Sequence, residues 1–363
     1  MTGQFQNIEQ LLTQAVGLAF PSAVLCFGVT AKPTTIAVGE AKENTWFDIA
    51  SLTKPLSTAL LAMRLSEKRL LRLNQMVTPG VTSKQLLAHT AGFPACFSPD
   101  WLARSRLLLF PHSRLRRSLV ELARSTFRAP PGRNAVYSDL GYIVLGDTLE
   151  YFGQGRLDQL LTTMLSPLDM PVQYWPISKT GQWYASESIA KTRRETPWRE
   201  DLQGIVHDDV ARAMLGVAGH AGLFARAGGV YRLCRALLDT YHDEQTPDRR
   251  ALNLSSSTVR KFFLRPPNSP ACTTFGLGFD HPDPLVPGKI NRSSAGVLWP
   301  RTGVGHLGFT GCSFWMALKE RVICVLLSNR VFFPTTAQAE TAKAALRILR
   351  PTLHDAVFRL YIT

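Results

Sequence analysis

The stretch DIASLTKPLSTALLAMRL, residues 48–65, places Ser51 and Lys54 at the start of a segment with helical apolar periodicity. Side chains at positions i and i+3 lie on the same face of a helix, so the two residues point the same way. A serine hydroxyl is a poor nucleophile at neutral pH unless a base within hydrogen-bond reach takes its proton. The pair is therefore either a helix cap beside a surface charge or a nucleophile with its own base.

Two physical arguments favour the second interpretation. The unpaired N–H groups and the dipole at a helix N-terminus stabilise negative charge that develops near Ser51. A lysine that is held partly away from water can have a lowered pKa, so we expect Lys54 to act as a base. The pattern Ser-x-x-Lys is nevertheless weak by itself, because serine is also a common helix cap.

Three further stretches of the sequence make the catalytic interpretation of this pattern more specific. They are LLAHTAGFP (residues 86–94), PPGRNAVYSDLGYIVLG (residues 130–146) and GHLGFTGCSFWM (residues 305–316). Together with SLTK, and in this order, they make the sequence resemble the serine β-lactamase and penicillin-binding-protein superfamily. The resemblance is to the branch that holds class C β-lactamases, β-lactamase-like esterases and D-amino-acid peptidases, and it extends over nearly the whole chain.

The resemblance implies roles for four catalytic residues. Ser51 matches the acylated nucleophile and Lys54 its lysine partner. Tyr137, in Tyr-Ser-Asp, matches the tyrosine of the Tyr-x-Asn motif, which shuttles protons. His306 matches the first position of the Lys-Thr-Gly motif on the edge strand. The usual tyrosine pKa is about 10, and we expect a nearby ammonium such as that of Lys54 to lower it.

The same resemblance implies residues that border the substrate. The N–H group of Phe309, just past Gly308, would pair with that of Ser51 as an oxyanion hole. Asp139 occupies the position of the family's asparagine. A carboxylate only accepts hydrogen bonds, whereas an amide also donates, so Asp139 weakens the case for penicillin-type acylamides. Asp139 is equally suited to cap the helix that follows it.

The second departure from the family is His306 in place of lysine. In β-lactamases the lysine ammonium helps to hold the carboxylate of the drug, and a neutral histidine does this less well. Both departures favour ester or peptide hydrolysis over β-lactam hydrolysis. The predicted function is a serine hydrolase that forms an acyl-enzyme at Ser51 and acts on small esters, amides or peptides. The alternatives are a weak β-lactamase or a catalytically idle relative that binds a ligand.

The order of helical and strand patterns predicts an α+β, β-lactamase-like fold. We expect an antiparallel sheet domain formed by residues 1–50 plus 265–363, flanked by N- and C-terminal helices, and a mainly helical domain over residues 51–264, with the active site between them. The local expectations are a helix over residues 5–18, a hairpin over residues 23–39, helices over residues 139–153 and 227–241, strands within residues 272–280, 304–320 and 321–331, and a last helix that Pro351 stops.

The charge of the chain limits its partners. Lys and Arg outnumber Asp and Glu by 41 to 27, which gives a net charge of +14 and favours anionic partners. Eight arginines lie between Trp101 and Arg133, but the segment lacks the patterns of nucleic-acid-binding motifs, so we expect mostly solvated surface and no nucleic acid. A small, anionic substrate remains the expected partner.

No stretch of the sequence predicts a cofactor, a metal or a membrane span. The six cysteines form no CxxC pair, and the chain has no P-loop and no dinucleotide-binding glycine pattern. His207, Asp208 and His220 have no recognisable metal-ligand spacing, so we expect them to pack and cap loops. No apolar run approaches the roughly 20 residues of a transmembrane helix, and the N-terminus lacks the charge pattern of a signal peptide. We therefore expect a cytoplasmic protein.

Overall fold

An antiparallel sheet of five strands is built from two distant parts of the chain. The computed structural model describes residues 2–98, 113–127, 130–177, 188–193, 201–266, 273–283 and 293–362. The strands of this sheet are β1 (Ala23–Gly28), β2 (Thr34–Val38), β10 (Val304–Leu307), β11 (Ser313–Met316) and β12 (Ile323–Ser328). Their order in the sheet is β10-β11-β12-β1-β2, and every neighbouring pair is antiparallel.

Smaller strands and the helices complete the described fold, which is α+β as expected. The other strands are β3 (Phe47–Asp48), β4 (Met76–Thr78), β5 (Val81–Thr82), β6 (Val172–Tyr174), β7 (Thr192–Arg193), β8 (Asp201–Leu202) and β9 (Leu223–Ala225). The α-helices are α1 (Thr2–Gln14), α2 (Leu60–Glu67), α3 (Ser83–Leu87), α4 (Ser113–Ser125), α5 (Asp139–Gly153), α6 (Leu157–Leu165), α7 (Asp209–Ala213), α8 (Ala227–Tyr241), α9 (Pro247–Leu252), α10 (Ser256–Phe263) and α11 (Thr336–Arg359).

The two faces of the large sheet belong to two different hydrophobic cores. Strand side chains alternate between faces, so Val24 and Cys26 of β1 join one core while Leu25 and Phe27 join the other. The first core contains the inserted helices, and α8 packs against β1 and β12 there. The second core lies under α1 and α11, which pack against each other. Both faces of the sheet are therefore covered by helices.

Several local expectations are confirmed, and three are wrong in detail. The hairpin, the helix over Asp139–Gly153 and the helix over Ala227–Tyr241 are present. The first helix ends at Gln14, before a turn in which Gly17 has a φ of 78°. Residues 273–280 form only isolated bridges, not a strand. The last helix continues through Pro351 to Arg359, because proline removes a single N–H donor and the buried side chains beyond it still pack.

Candidate active site

The predicted nucleophile lies on a strained turn between β3 and a π-helical segment. Ser51 is the middle residue of a 3-10 turn (Ala50–Leu52), which leads into the π-helical residues Lys54–Ala59. Ala50 has a φ of 46°, a conformation that non-glycine residues rarely adopt. Backbone strain of this kind is found at functional sites, where surrounding contacts hold it in place. The turn therefore fixes where the Ser51 hydroxyl points.

Asp48 supplies the contacts that hold this turn. Its buried carboxylate accepts hydrogen bonds from the N–H of Ala50 (2.8 Å) and from the N–H of His207 (2.7 Å). Its backbone carbonyl accepts a bond from the Thr310 hydroxyl (2.7 Å). Burial raises the pKa of Asp48 to about 6, against these hydrogen bonds, which lower it. Through its carboxylate and its backbone carbonyl, Asp48 thus links the nucleophile turn to two neighbouring segments.

The structure brings the Lys54 ammonium against Ser51. Lys54 is fully buried, and its Nζ lies 3.1 Å from the Ser51 Oγ, 3.1 Å from the carbonyl oxygen of His220 and 2.7 Å from a carboxylate oxygen of Asp139. Burial lowers the pKa of Lys54, but the charge of Asp139 opposes this and the net pKa is raised. Our expectation of a lowered lysine pKa is therefore wrong, because the buried ammonium has a carboxylate partner.

Tyr137 lies over the same ammonium. The centroid of its ring is 4.7 Å from the Lys54 Nζ, and interactions with the side chains of Lys54 and Ser51 lower the pKa of its phenol. Burial raises the pKa of Tyr137, and the nearby carboxylate of Asp139 adds to this rise. The Lys54 charge acts in the opposite direction without reversing it. The expected lowering of the tyrosine pKa is therefore also wrong.

Asp139 faces the ammonium and does not cap the helix that it begins. The cap of α5 is Ser138, whose hydroxyl accepts a bond from the N–H of Gly141 (2.9 Å). Asp139 is the first residue of the helix, and its side chain forms the 2.7 Å ion pair with Lys54 while remaining 31% exposed. The capping interpretation of Asp139 is wrong, and the residue is left to act on the charge of Lys54.

His89 supports Tyr137 from behind. Its ring lies 4.5 Å from that of Tyr137 and 4.8 Å from that of Tyr142, and its Nδ1 accepts a bond from the N–H of Ser138 (2.9 Å). Burial lowers the pKa of His89 well below its usual range, and the Lys54 charge adds to this effect. His89 is thus a neutral, buried ring that positions the segment carrying Tyr137.

His306, Gly308 and Phe309 lie across from these residues on β10 and the turn that follows it. Burial lowers the pKa of His306 to about 3, so the ring is neutral near pH 7. A Cβ atom at Gly308 would lie 2.6 Å from the carbonyl oxygen of Ile49, so only glycine fits this approach to the nucleophile turn. Arg330 donates two hydrogen bonds to the Phe309 carbonyl oxygen (3.1 and 2.5 Å) and thereby fixes the backbone there.

Two cavities meet at Ser51, Tyr137 and Phe309, which line both. One cavity, of about 360 Å³, is called here the arginine-side cavity. Its other lining residues are Phe275, Asp280, His306, Leu307, Gly308, Arg330, Lys343, Leu346, Arg347 and Arg350. The second cavity, of about 380 Å³, is called the carboxylate-side cavity. Its other lining residues are Ala50, Cys96, Phe97, Asp139, Leu140, Ile143, His207, Asp208, Asp209, Val210, His220 and Ala221.

All the residues that the sequence singled out for the site therefore line one or both cavities, except Lys54, which lies buried beneath Ser51. The sequence interpretation missed Arg330, Lys343, Arg347 and Arg350. A signal for three of them was present, because basic residues at 343, 347 and 350 recur at helical spacing. It also missed Asp209 as a lining residue.

Asp208 and His220 form a contact pair at the carboxylate-side cavity. Asp208 caps α7 through the N–H of Ala211 (2.7 Å), and the same oxygen lies 3.0 Å from the Nε2 of His220. The neighbouring histidine and the backbone bond hold the pKa of Asp208 well below its usual range, although burial opposes this. Among the described residues, no group of three or more His, Cys, Asp or Glu side chains could hold a metal ion.

The arginine-rich segment lies in part outside the described residues, which leave out 99–112 and 128–129. Within α4, Arg116 pairs with Glu150 (2.6 Å) and Arg124 with Asp147 (2.8 Å), both on α5. These two arginines hold one helix against another, so the expectation of mostly solvated surface is wrong for them. No described helix combines the length and the apolar character needed to cross a membrane.

One known protein family matches this chain over most of its length. The model of the family described as Beta-lactamase matches residues 8–348. The chain belongs to the β-lactamase family. A protein of Salmonella typhi described as a putative D-alanyl-D-alanine carboxypeptidase is 28% identical to this family member over 329 residues, which cover 81% of this chain and 71% of the relative. A relative from Salmonella agona, with the same description, matches to the same extent.

Solved structures show the same fold at lower identity. EstCE1, described as a hydrolase with promiscuous acyltransferase activity, superposes with a TM-score of 0.69 at 19% identity, covering 98% of this chain and 99% of its own. Simvastatin synthase from Aspergillus terreus superposes with a TM-score of 0.68 at 17% identity, covering 99% of both chains. These structures show that the chain has the β-lactamase-like fold. The family match and the descriptions of the relatives indicate a hydrolase of the serine β-lactamase superfamily.

Proposed function

We propose that this family member is a serine hydrolase that forms an acyl-enzyme at Ser51 and cleaves ester or amide bonds of small substrates. The observation that carries the proposal is the contact of three side chains. The Ser51 hydroxyl lies 3.1 Å from the Lys54 Nζ, that Nζ lies 4.7 Å from the centroid of the Tyr137 ring, and Ser51 and Tyr137 line the same two cavities. A nucleophile beside two proton-carrying groups is the arrangement that acyl transfer needs.

The Lys54–Tyr137 pair would handle the protons. Both pKa values are raised, so near neutral pH the resting pair holds an ammonium and a neutral phenol. Loss of one proton from this pair creates the base, and its apparent pKa belongs to the two residues together. The Ser51 oxygen then attacks the substrate carbonyl carbon as its proton passes to the pair. The same proton goes to the leaving atom when the bond to the acyl carbon breaks.

Water would complete the cycle by the same path in reverse. A water molecule attacks the acyl carbon and gives a proton to the Lys54–Tyr137 pair, and the Ser51 oxygen leaves and takes that proton back. The N–H groups of Ser51 and Phe309 are proposed to stabilise the oxyanion in both steps. Arg330, which holds the Phe309 carbonyl, is a positioning residue for this donor.

The names of relatives support the choice of substrate class. The Salmonella relatives are described as putative D-alanyl-D-alanine carboxypeptidases, and EstCE1 as a hydrolase. Asp139 and the neutral His306 replace the amide and the ammonium expected in a β-lactamase. We therefore favour esters and peptides over β-lactams, with the active site between a sheet domain and a helical domain.

The test compares wild type, Ser51→Ala and Cys96→Ser. Cys96 is the matched control, because its exposed thiol lines the carboxylate-side cavity and could itself be labelled. We expect a neutral fluorophosphonate to label wild type and Cys96→Ser but not Ser51→Ala, and p-nitrophenyl acetate turnover to follow the same pattern. Equal turnover by Ser51→Ala and wild type would refute the proposal.

A further inference from the structure

The carboxylate-side cavity contains a side-chain pair that the proposed reaction does not use. His220 is only 2% exposed, and its Nε2 lies 3.0 Å from the Oδ1 atom of Asp208. A carboxylate only accepts hydrogen bonds, so this ring nitrogen is the donor. The other ring nitrogen, Nδ1, is enclosed and has no hydrogen-bond partner within the described part of the chain. The bond to Asp208 is therefore the polar contact that holds this buried ring.

His220 belongs to the segment AGHAG, residues 218–222, which contacts the π-helical segment behind the nucleophile. The carbonyl oxygen of Gly219 accepts a bond from the Thr58 hydroxyl (2.6 Å), and that of His220 accepts one from the Lys54 Nζ (3.1 Å). Within this segment only the histidine has a side chain that can form a hydrogen bond, and the two glycines leave the backbone free to turn. The His220 ring is thus the only side chain of the segment that can anchor it through a hydrogen bond.

Three polar contacts of the Lys54 Nζ determine how the neutral amine is oriented. Its partners are the Ser51 hydroxyl, the His220 carbonyl and the Asp139 carboxylate. An ammonium can donate to all three, but an amine that has lost one proton keeps two N–H groups and one lone pair. The carbonyl and the carboxylate can only accept, whereas the hydroxyl can also donate. With both of these acceptors in place, the lone pair of Lys54 points at the Ser51 hydroxyl, as proton transfer requires.

A displaced His220 carbonyl would remove this constraint on the amine. With the Asp139 carboxylate as the remaining pure acceptor, the second N–H of Lys54 can turn toward the Ser51 oxygen. The lone pair then faces away, and the hydroxyl proton finds no acceptor on Lys54. The position of the carbonyl therefore affects the rate of proton transfer and not the binding of the substrate.

The two residues at the start of α7 contact both sides of the nucleophile. The N–H of His207 donates to the Asp48 carboxylate (2.7 Å), which also accepts a bond from the N–H of Ala50 (2.8 Å) in the nucleophile turn. One residue further along the chain, Asp208 holds the ring of His220. These neighbouring residues thereby connect the turn that carries the nucleophile with the carbonyl that contacts its base.

We propose that Asp208 and His220 are positioning residues, which hold the His220 carbonyl against Lys54 and thereby direct the lone pair of the amine at the Ser51 hydroxyl. The inference rests on the proposed reaction at Ser51. Neither side chain needs to contact the substrate in this role. Loss of their bond is expected to slow the chemical step, because a displacement of about 1 Å in a catalytic group can cost about 10²-fold in rate.

The test compares His220→Leu with His220→Gln. Leucine cannot bond to Asp208, whereas the amide of glutamine offers an N–H donor at the same distance along the side chain. The release of p-nitrophenol from p-nitrophenyl acetate in the first turnover gives the limiting acylation rate and the dissociation constant of the substrate. We expect the rate to fall on the order of 10- to 100-fold in His220→Leu, with the dissociation constant unchanged, and most of the rate to return in His220→Gln.

His242→Leu is the matched control for this pair. It removes a comparable bond, between the His242 Nε2 and the Leu318 carbonyl (2.8 Å), and His242 lines neither cavity, so the wild-type rate should remain. Folding of each variant is checked by thermal denaturation followed by circular dichroism. An unchanged acylation rate in folded His220→Leu, or equal losses in His220→Leu and His220→Gln, would overturn the proposal.

Two further measurements keep the outcome decisive if a variant or the reaction fails. If His220→Leu does not fold, Asp208→Ala and Asp208→Asn replace the pair. Both remove the charge, but only asparagine keeps an acceptor oxygen for the ring, so a faster rate in Asp208→Asn supports the proposal and equal rates overturn it.

If the neutral fluorophosphonate does not label Ser51 of wild type, the proposed function has failed. The positioning role is then tested alone by crystal structures of wild type, His220→Gln and His220→Leu. We expect the carbonyl oxygen of residue 220 to stay within hydrogen-bond distance of the Lys54 Nζ in the first two proteins and to lie beyond about 3.5 Å in His220→Leu. The same distance in all three proteins would overturn the positioning role.

Discussion

The arginine-side and carboxylate-side cavities share Ser51 and Tyr137 but differ in how their charges are held. Each carboxylate on the one side has a cationic or histidine partner: Asp139 pairs with Lys54, Asp208 with His220 and Asp209 with Arg212. On the other side, Arg350 has no carboxylate partner among the described residues. The acids are therefore already compensated within the protein, whereas this arginine is not.

This difference determines where the charge of a substrate can contribute to binding. A carboxylate that already has a partner gains little from a ligand cation, because the exchange replaces one ion pair with another. An uncompensated buried guanidinium gains the partner that it lacks when a carboxylate binds beside it. Truncating one member of such a desolvated pair commonly costs about 2 to 5 kcal/mol of binding free energy. The arginine side is thus expected to select substrates, and the carboxylate side to set the protonation state of Lys54.

The largest expected effect comes from removing the residue on which both sides depend. Lys54→Met takes away the only buried amine that contacts Ser51 in the described structure. General acid–base groups contribute about 10² to 10⁴ in rate, so we expect kcat for p-nitrophenyl acetate to fall about 10³-fold. Steady-state kinetics measure this, with Lys261→Met, an exposed lysine of α10, as the control. A loss of less than tenfold would contradict the proposed role of Lys54.

The second-largest effect is expected from a substitution on the carboxylate side alone, at the carboxylate that pairs with Lys54. The charge of Asp139 raises the pKa values of both Lys54 and Tyr137, so Asp139→Asn should lower the apparent pKa of the pair. Activity needs the deprotonated pair and therefore rises with pH. We expect the rising limb of the kcat/KM profile to move to lower pH.

A pH–rate profile of neutral ester hydrolysis checks the sign of this change. Asp280→Asn is a matched control, since it removes a carboxylate that lines the other cavity and does not pair with Lys54. If the rising limb of the pH–rate profile stays in place in Asp139→Asn, or moves to higher pH, then Asp139 does not set the protonation state of the Lys54–Tyr137 pair.

The smallest effect concerns the repulsion of anions on the carboxylate side. Asn is also a good helix cap, so Asp208→Asn should keep the start of α7 while it removes a negative charge from the cavity wall. Like charges across a binding surface are unfavourable, and we expect the ratio of kcat/KM for phenyl hemisuccinate to kcat/KM for the matching neutral succinamate to rise about threefold. Asp248→Asn, in a pair with Arg232 away from both cavities, is the control. A ratio that stays constant or falls would argue against this repulsion.

The sequence predicted the fold and the residues that form the centre of the cleft because motifs determine them. Ser51 and Lys54 are three residues apart, so their proximity follows from local helical geometry. The alternating apolar strands at both ends of the chain predicted the antiparallel sheet. The resemblance supplied the long-range placement of Tyr137 and His306, which no local spacing could give.

The features that the sequence did not predict depend on tertiary contacts. The raised pKa of Lys54 comes from Asp139, which lies 85 positions away in the sequence. The ion pair outweighs the effect of burial because the Lys54 Nζ lies 2.7 Å from a carboxylate oxygen of Asp139, and the sequence does not contain this distance. Arg350 belongs to a helix that was expected to end at Pro351, and the orientation of that helix toward Ser51 depends on how α11 packs against α1 and the sheet. The division into two domains remains a prediction.

The proposed reaction requires an ester bond between the acyl group and the Ser51 oxygen. Wild type is mixed with excess p-nitrophenyl acetate, quenched in acid before the first turnover is complete, digested and analysed by mass spectrometry, with Ser51→Ala treated in parallel. We predict one acetyl group on the peptide that contains Ser51 and none on the corresponding peptide of the variant. Full turnover with no acetyl group on that peptide, or acetylation found on Cys96 instead, would contradict the proposal.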